Sequence, residues 1–111
     1  MMNILDKLGA VLNDSTVKLG FLPDFPDDLS VLTEYKGSPP VHSFGDTDIV
    51  ENVQLRCRGE RSYEKISAFT DKLNRYSDTE ISVIQETAIL DIGRDDKQRQ
   101  EYTVNFKIYR R

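Results

Sequence analysis

The side chains with the most distinctive chemistry in this sequence are one cysteine and one histidine. A Cys57 thiolate would need a base such as His42 to act as a nucleophile, but nothing in the sequence places the two residues together. Cys57 lies on the apolar side of an alternating segment, so we interpret it as a small, buried and inert side chain. One cysteine and one histidine are too few for a dedicated zinc site, and a single cysteine allows no internal disulfide.

Acidic and basic side chains offer two further possibilities. Asp24, Asp27 and Asp28 form a carboxylate cluster, but they lack the longer oxygen-ligand pattern and distal glutamate of a calcium loop. Arg56 and Arg58 lie on one strand face and could hold a phosphate, although ion pairs to neighbouring strands or subunits are the preferred interpretation. The sequence also lacks the motifs of serine hydrolases, zinc proteases, dithiol redox proteins and dinucleotide-binding enzymes. We therefore predict that the protein is not an enzyme and has no catalytic residue, metal site or cofactor.

Charge and length restrict the partners. The 111 residues include 15 Lys and Arg and 19 Asp and Glu, which gives a formal net charge of −4. A protein that binds nucleic-acid phosphates avidly needs a basic surface, so we expect DNA to pass this surface without being held. No apolar run approaches the roughly 20 residues that span a bilayer, and the N-terminus does not resemble a secretory signal, so no membrane partner is expected.

The stretch from Val50 to Tyr76 predicts the central strand and helix. Val53, Leu55 and Cys57 alternate with polar residues, which is typical of a strand with one apolar face. From residue 62 the period changes to steps of three and four, which predicts a helix over residues 62–76. Its apolar positions, expected to pack on the strand, are Tyr63, Ile66, Phe69 and Leu73.

The remaining segments add to this pair. An apolar stripe at Ile4, Leu5, Leu8, Val11 and Leu12 predicts a short first helix, capped by Asn3 and ended at Asn13–Asp14. Prolines keep residues 20–28 out of regular structure, so we expect an ordered, extended connector. Alternation predicts further strands over residues 30–36, 80–92 and 101–110, the last two forming a long hairpin. The parity of apolar residues changes within 80–92, which indicates a bulge or a strand covered on both faces.

These elements predict one α+β domain over residues 1–111 with the order α-β-β-α-β-β. We expect a mostly antiparallel sheet of about four strands with the helices packed on one face. A mixed sheet is the alternative, since the central helix is long enough to be a crossover between the two hairpins.

The motifs converge on one known family. In order along the chain, the relevant segments are residues 22–27 (LPDFPD), 34–40 (EYKGSPP), 53–58 (VQLRCR), a helix that starts at Tyr63, 93–96 (GRDD) and 104–106 (VNF). With this order and spacing the chain resembles, over about residues 1–110, the minor capsid and tail terminator proteins of long-tailed bacteriophages and their prophages. It departs from the family at residues 88–92, where a proline is expected before the Gly-Arg-Asp turn.

The resemblance implies a structural virion protein that caps the head-proximal end of the phage tail tube, stops its polymerisation and provides the head-joining interface. Its implied partners are copies of itself in a ring, typically a hexamer, the tail tube protein and the head-connector protein, with DNA passing through the ring. Such a protein is made in the cytoplasm of the bacterial host and ends in the virion. The alternatives are a phage head-completion or neck protein, a small α+β ligand-binding domain and a regulatory nucleic-acid binder.

Two connections are longer or more charged than is required to join the predicted strands, namely the loop 37–48 and the turn 93–100. The loop carries apolar residues that belong to no predicted strand, and the turn carries neighbouring opposite charges. Both features are favourable for contacts between subunits. In the alternative interpretation, Phe44 folds back into its own subunit. The candidate assembly contacts are Val41, Phe44, Arg56, Arg58, Arg94, Asp95, Asp96 and Arg99.

Overall fold

The computed structural model describes residues 3–35 and 49–110. In this part of the chain two helices and six strands follow one another. They are α1 (Ile4–Leu12), β1 (Val17–Leu19), β2 (Leu29–Tyr35), β3 (Ile49–Arg58), α2 (Ser62–Leu73), β4 (Ile81–Gln85), β5 (Leu90–Arg94) and β6 (Gln100–Arg110).

The sequence-based prediction of a four-stranded α-β-β-α-β-β fold with helices on one face is wrong. The protein is mostly β, and its six strands form one mixed sheet with the order β1-β2-β3-β6-β4, in which β5 also pairs with β6. Strand β1 runs parallel to β2, whereas all other pairs are antiparallel. A three-residue strand such as β1 is too short to show alternation, which is why the sequence pattern missed it.

The segment predicted as one strand over residues 80–92 is divided into β4 and β5, which pair with successive parts of β6. Between them, Thr87 interrupts the ladder, because its Oγ1 accepts a hydrogen bond from the Asn105 backbone N–H at 3.0 Å. A further register shift lies between Asp91 and Gly93, where Gly93 has a positive φ of 86°. The change of apolar parity in the sequence therefore reflects a break and a bulge.

The first helix begins and ends where its polar flanking residues predict. Asn3 Oδ1 accepts the backbone N–H of Leu5 at 2.8 Å, which satisfies a free amide of the first turn. Asn13 adopts the left-handed conformation and donates its N–H to the Gly9 carbonyl, which closes the C-terminus. Helix α1 is thus ended locally, although a helix of nine residues depends on packing for its stability.

Alternation gives the sheet two chemically different faces. On the face that we call the core face, cross-strand neighbours such as Leu32, Leu55 and Val104 are fully buried. The buried side chains of both helices join the same core, and they are Ile4, Leu8, Leu12, Ile66, Phe69 and Leu73. The opposite face, the polar face, carries side chains such as Arg56, Gln54 and Asn105.

Helix α2 buries three of its four predicted core positions. Ile66, Phe69 and Leu73 lie in the core, but Tyr63 is 58% exposed and contacts the Tyr102 ring edge-on at 5.4 Å between centroids. The burial predicted for Tyr63 is therefore wrong. The helix also ends three residues before the predicted boundary, because Asn74 takes an extended conformation from which the chain turns back toward β4.

Cys57 lies in the core as predicted. Burial raises the pKa of its thiol to about 11, and Ser30 Oγ lies 3.1 Å from the sulfur. The thiolate that nucleophilic or metal chemistry requires is therefore strongly disfavoured at neutral pH. His42 lies outside the described residues.

Candidate assembly surface

The connector, residues 20–28, crosses the sheet on its polar face between the parallel strands β1 and β2. From β3, the Arg58 guanidinium donates through Nε to the Asp27 carbonyl at 2.9 Å and through Nη2 to the Pro26 carbonyl at 2.7 Å. Leu29 and Val31, which share this side of the sheet with Arg58, are buried. Arg58 is itself buried, and this burial lowers the pKa of its guanidinium.

A second arginine fastens the connector from the hairpin turn, residues 95–99, which joins β5 to β6. Arg99 Nη1 donates to the Asp24 carbonyl at 2.7 Å, and Nη2 donates to Asp24 Oδ1 at 2.9 Å. The guanidinium also lies 3.3 Å from Asp27 Oδ1. Hydrogen bonds to Asp95 and then to Asp24 raise the pKa of Arg99. The connector is therefore held at both its middle and its end by charge-assisted hydrogen bonds, which are stronger than neutral ones.

Lys97 adds a third contact in the same turn. Its ammonium binds the Asp24 carboxylate and lies 4.7 Å from the centroid of the Phe25 ring, a cation–π geometry. Hydrogen bonds from Lys97 and Arg99 lower the pKa of the Asp24 carboxyl. Phe25 remains 73% exposed, so the turn fixes this ring at the surface without covering it.

Asp95 shapes the hairpin turn from within. Its Oδ1 accepts the backbone N–H groups of Lys97 and Arg99, both at 2.9 Å, and its Oδ2 accepts Arg99 Nε at 2.8 Å. The hydrogen bonds from Arg99 lower the pKa of the Asp95 carboxyl to about 2. Asp95 is thus an organising residue of the turn, whereas Arg94 and Asp96 beside it are exposed.

The candidate contacts predicted from the sequence fall into four groups. Arg58, Asp95 and Arg99 come together around the connector inside one subunit. Arg56 pairs with Glu101 of the neighbouring strand β6 in a bidentate geometry, with N–O distances of 2.9 and 2.7 Å. Arg94 and Asp96 lie at the surface. Val41 and Phe44 lie outside the described residues.

Sequence reasoning missed the two most exposed aromatic residues of the described chain, Phe21 at 71% and Phe25 at 73%. Both lie on the connector, for which the sequence predicts only an ordered, extended path. The available signal was their position among prolines and acidic residues, because such a segment cannot bury every large side chain that it carries. The connector and the hairpin turn together form what we call the connector surface.

The arrangement contains no catalytic constellation among the described residues, and none of them form a group of His, Cys, Asp or Glu that could hold a metal ion. Residues 4–110 match the sequence model of a family described as bacteriophage tail terminator protein. The chain belongs to the bacteriophage tail terminator protein family. The match covers both helices and all six strands, and it confirms the resemblance on which the sequence-based assignment rests. No curated protein matches the sequence.

As a member of this family, the protein is a structural component of the phage tail and of the virion. It interacts with other tail and head proteins. No helix in the described part of the chain is long and apolar enough to cross a membrane. The connector surface carries the two most exposed aromatic rings of the described structure, Phe21 and Phe25, beside the charged side chains of the hairpin turn.

Several cations of this terminator protein's sheet lie beside carboxylates. On the polar face Arg56 binds Glu101 and Lys107 Nζ lies 3.6 Å from Glu86, and at the end of the opposite face Arg110 Nε lies 3.0 Å from Glu51. An amide pair, Gln54 with Asn105 at 3.2 Å, occupies the middle of the polar face. The ion pairs of these cations with their carboxylates would have to break before the cations could neutralise a phosphate.

Proposed function

We propose that the protein forms a ring, a hexamer on the symmetry of the tail, that caps the head-proximal end of the tail tube. The ring stops polymerisation of the tube and offers its other side to the head-connector protein. Subunits made in the bacterial cytoplasm assemble on the tube end and remain in the virion. The observation that carries this proposal is the family match over residues 4–110.

The connector surface supports the proposal as the site of contact with the tube or the head connector. Arg58 and Arg99 fix the backbone of the connector, so little conformational entropy remains to be lost when a partner binds. Exposed aromatic side chains on a rigid backbone are favourable anchors in protein interfaces. Phe21 and Phe25 are the anchors in this surface, and the exposed charges of Arg94 and Asp96 lie at its rim.

Charge supports the passage of DNA through such a ring. The subunit has a net charge of −4, so a closed ring of six carries several-fold more negative charge around its channel. Like charge suppresses contacts with DNA phosphates, and the sheet cations Arg56, Lys107 and Arg110 are already paired with carboxylates. We therefore propose that DNA slides through the ring without specific binding.

Complementation of a phage or prophage that lacks this gene tests the proposal. We expect deletion to give overlong tails that do not join heads, and the wild-type gene to restore normal tails. Phe25→Ser and Asp96→Arg should fold normally but fail to restore capping or head joining. Asp71→Arg, at an exposed position of α2, is the matched charge control and should complement fully.

The outcomes separate the function from the surface. Normal tail lengths after deletion would overturn the capping role, and normal tails with unjoined heads would indicate a head-completion or neck protein instead. If deletion gives overlong tails and both variants still cap at wild-type efficiency, the function stands and the connector surface is not the contact. Asp95 is left unchanged in this experiment, because its loss would disrupt the turn itself.

A further inference from the structure

One half of the sheet edge formed by β4 and β5 is closed by the chain itself. Residues 74–78 run along the outer side of β4, where the Arg75 N–H donates to the Val83 carbonyl at 2.9 Å and the Val83 N–H donates to the Tyr76 carbonyl at 2.8 Å. The Asn74 side chain adds a further acceptor, for the Gln85 N–H, at 3.0 Å. The backbone groups of β4 are thus protected from pairing with another chain.

The other half of this edge, strand β5, has no such cover among residues 3–35 and 49–110, where β6 is its sole strand partner. Its two large apolar side chains, Leu90 and Ile92, are 49% and 47% exposed. An open edge with exposed apolar residues is a template for a further strand. Within residues 3–35 and 49–110, the half of the edge that carries these apolar residues is thus the half that no other segment covers.

The opposite end of the sheet is also open in the described structure. Strand β1 pairs with β2 and with no other described strand. Large apolar side chains are exposed here too, namely Leu19 at the end of β1 and Phe21 just beyond it. The sheet therefore has two open edges, β1 and β5, and both are bordered by exposed apolar side chains.

The two open edges lie at the same level of the sheet. Lys18 of β1 pairs with Val31, Val31 pairs with Arg56, Arg56 pairs with Thr103, and Thr103 pairs with Leu90 of β5. One cross-strand row thus runs from Lys18 at one edge to Leu90 at the other. Following the pairings along this row, β5 runs antiparallel to β1. A neighbouring copy in the same orientation would bring its β1 alongside β5 in an antiparallel arrangement, the more stable kind of strand pairing.

We propose that β5 of one subunit pairs with β1 of the next copy of this chain, with Leu90 beside Lys18 of the neighbour, so that the sheet continues from subunit to subunit. The contact joins two different surfaces and is therefore heterologous, which is the kind of contact that closes into a ring. It rests on the proposed ring and adds to it the strands that join its subunits. Pairing of β5 with another β5 would instead be two-fold and would produce a dimer.

Two features limit the strength of this contact. Strand β1 has three residues, so few hydrogen bonds can form, and Lys18 places a charge at its centre. The aliphatic part of the lysine can still pack on Leu90 while its ammonium stays in water. A weak contact of this kind fits a subunit that is monomeric when dilute and assembles where the tube end holds several copies together.

A disulfide between Lys18→Cys and Leu90→Cys tests the pairing. Within one subunit the two positions lie four strand spacings apart, roughly 19 Å at about 4.8 Å per spacing. This separation is far beyond the Cα distance of about 7 Å that a disulfide can bridge, so the bond can form only between subunits. The native thiol does not interfere, because Cys57 is buried.

We expect the oxidised double variant, concentrated or mixed with tail tubes, to give a ladder of covalent oligomers on a non-reducing gel. The matched control combines Lys18→Cys with Ile84→Cys, an exposed position on the covered strand β4, and should give no ladder. Rings visible by electron microscopy without cross-links, or a dimer from Leu90→Cys alone, would overturn the pairing while leaving the capping function intact. Cross-linked rings that do not cap tubes would instead support the pairing and contradict the proposed function. Failure to form either rings or cross-links under both conditions would overturn the pairing as well.

Discussion

Truncation of Leu73 to alanine should destabilise the subunit far more than truncation of an exposed side chain on the same helix. Leu73 lies in the last turn of α2, is fully buried and belongs to the core shared with the sheet. Its removal takes apolar surface out of the core and leaves a cavity that the neighbouring strands and helix α1 can fill only partly. Buried leucine-to-alanine changes of this kind cost about 2–5 kcal/mol in the free energy of unfolding.

The expected shift in melting temperature follows from chain length. Unfolding entropy near 60 °C is about 2.1 cal/mol/K per residue. For 111 residues this gives roughly 0.23 kcal/mol/K. A loss of about 2–5 kcal/mol therefore lowers the midpoint by roughly 9–21 °C. Differential scanning calorimetry, or circular dichroism followed through thermal unfolding, measures this shift directly.

Two variants on the same helix serve as controls. Tyr63→Ala removes an exposed ring whose described aromatic contact is the edge of Tyr102, so we expect a cost of at most about 1.5 kcal/mol. Asp71→Ala changes an exposed position and should stay within about 0.5 kcal/mol. The reasoning is refuted if Tyr63→Ala lowers the melting temperature as much as Leu73→Ala does, because the helix would then bury a different face.

Two further predictions concern the charged contacts. Stability should fall as the pH drops from about 4 to 2, because Asp14 and Asp95, with pKa values lowered from 3.8 to about 2, are charged in the folded state and take up protons on unfolding. Denaturant titrations at each pH should show this loss, and Asp14→Asn should reduce the slope; an unchanged slope would contradict the role of Asp14. Arg99→Ala should speed hydrogen exchange of the amides in residues 20–28, whereas Arg94→Ala, at an exposed position, should leave it unchanged. Equal exchange in both variants would show that Arg99 does not fasten the connector.

Local patterns predicted the elements that carry their own signals. Helix α1 has an apolar stripe and two asparagine caps, and strands β3 and β6 are long enough for alternation to be unambiguous. The burial of Cys57 followed from its parity with Val53 and Leu55. In each case the information lies within one or two turns of helix or a few residues of strand, which is the range that sequence patterns cover.

Long-range contacts account for most of what the sequence did not predict. Asp24 and Arg99 lie 75 positions apart, so nothing in either segment indicated that they meet. Strand β1 exists because β2 supplies its hydrogen-bond partners, and the division between β4 and β5 depends on Thr87 bonding to a residue of β6. The site prediction names Arg99 and Asp95 as contacts between subunits, and their contacts within one subunit, which join distant segments, are what the sequence did not indicate.

The way in which the connector is fastened has a consequence for the order of folding. Residues 20–28 leave the ribosome before the arginines that hold them, because Arg58 and Arg99 follow 32 and 75 positions after their carbonyl partners at Pro26 and Asp24. Contacts that close such long loops form late in folding, because the loss of chain entropy on loop closure precedes the stabilisation that the contact provides. The connector surface is therefore complete only in a finished subunit whose last hairpin has docked. If the connector surface is the contact, truncated or incompletely folded chains do not present the groups that the tube end recognises. Only completely folded subunits are then incorporated into the particle.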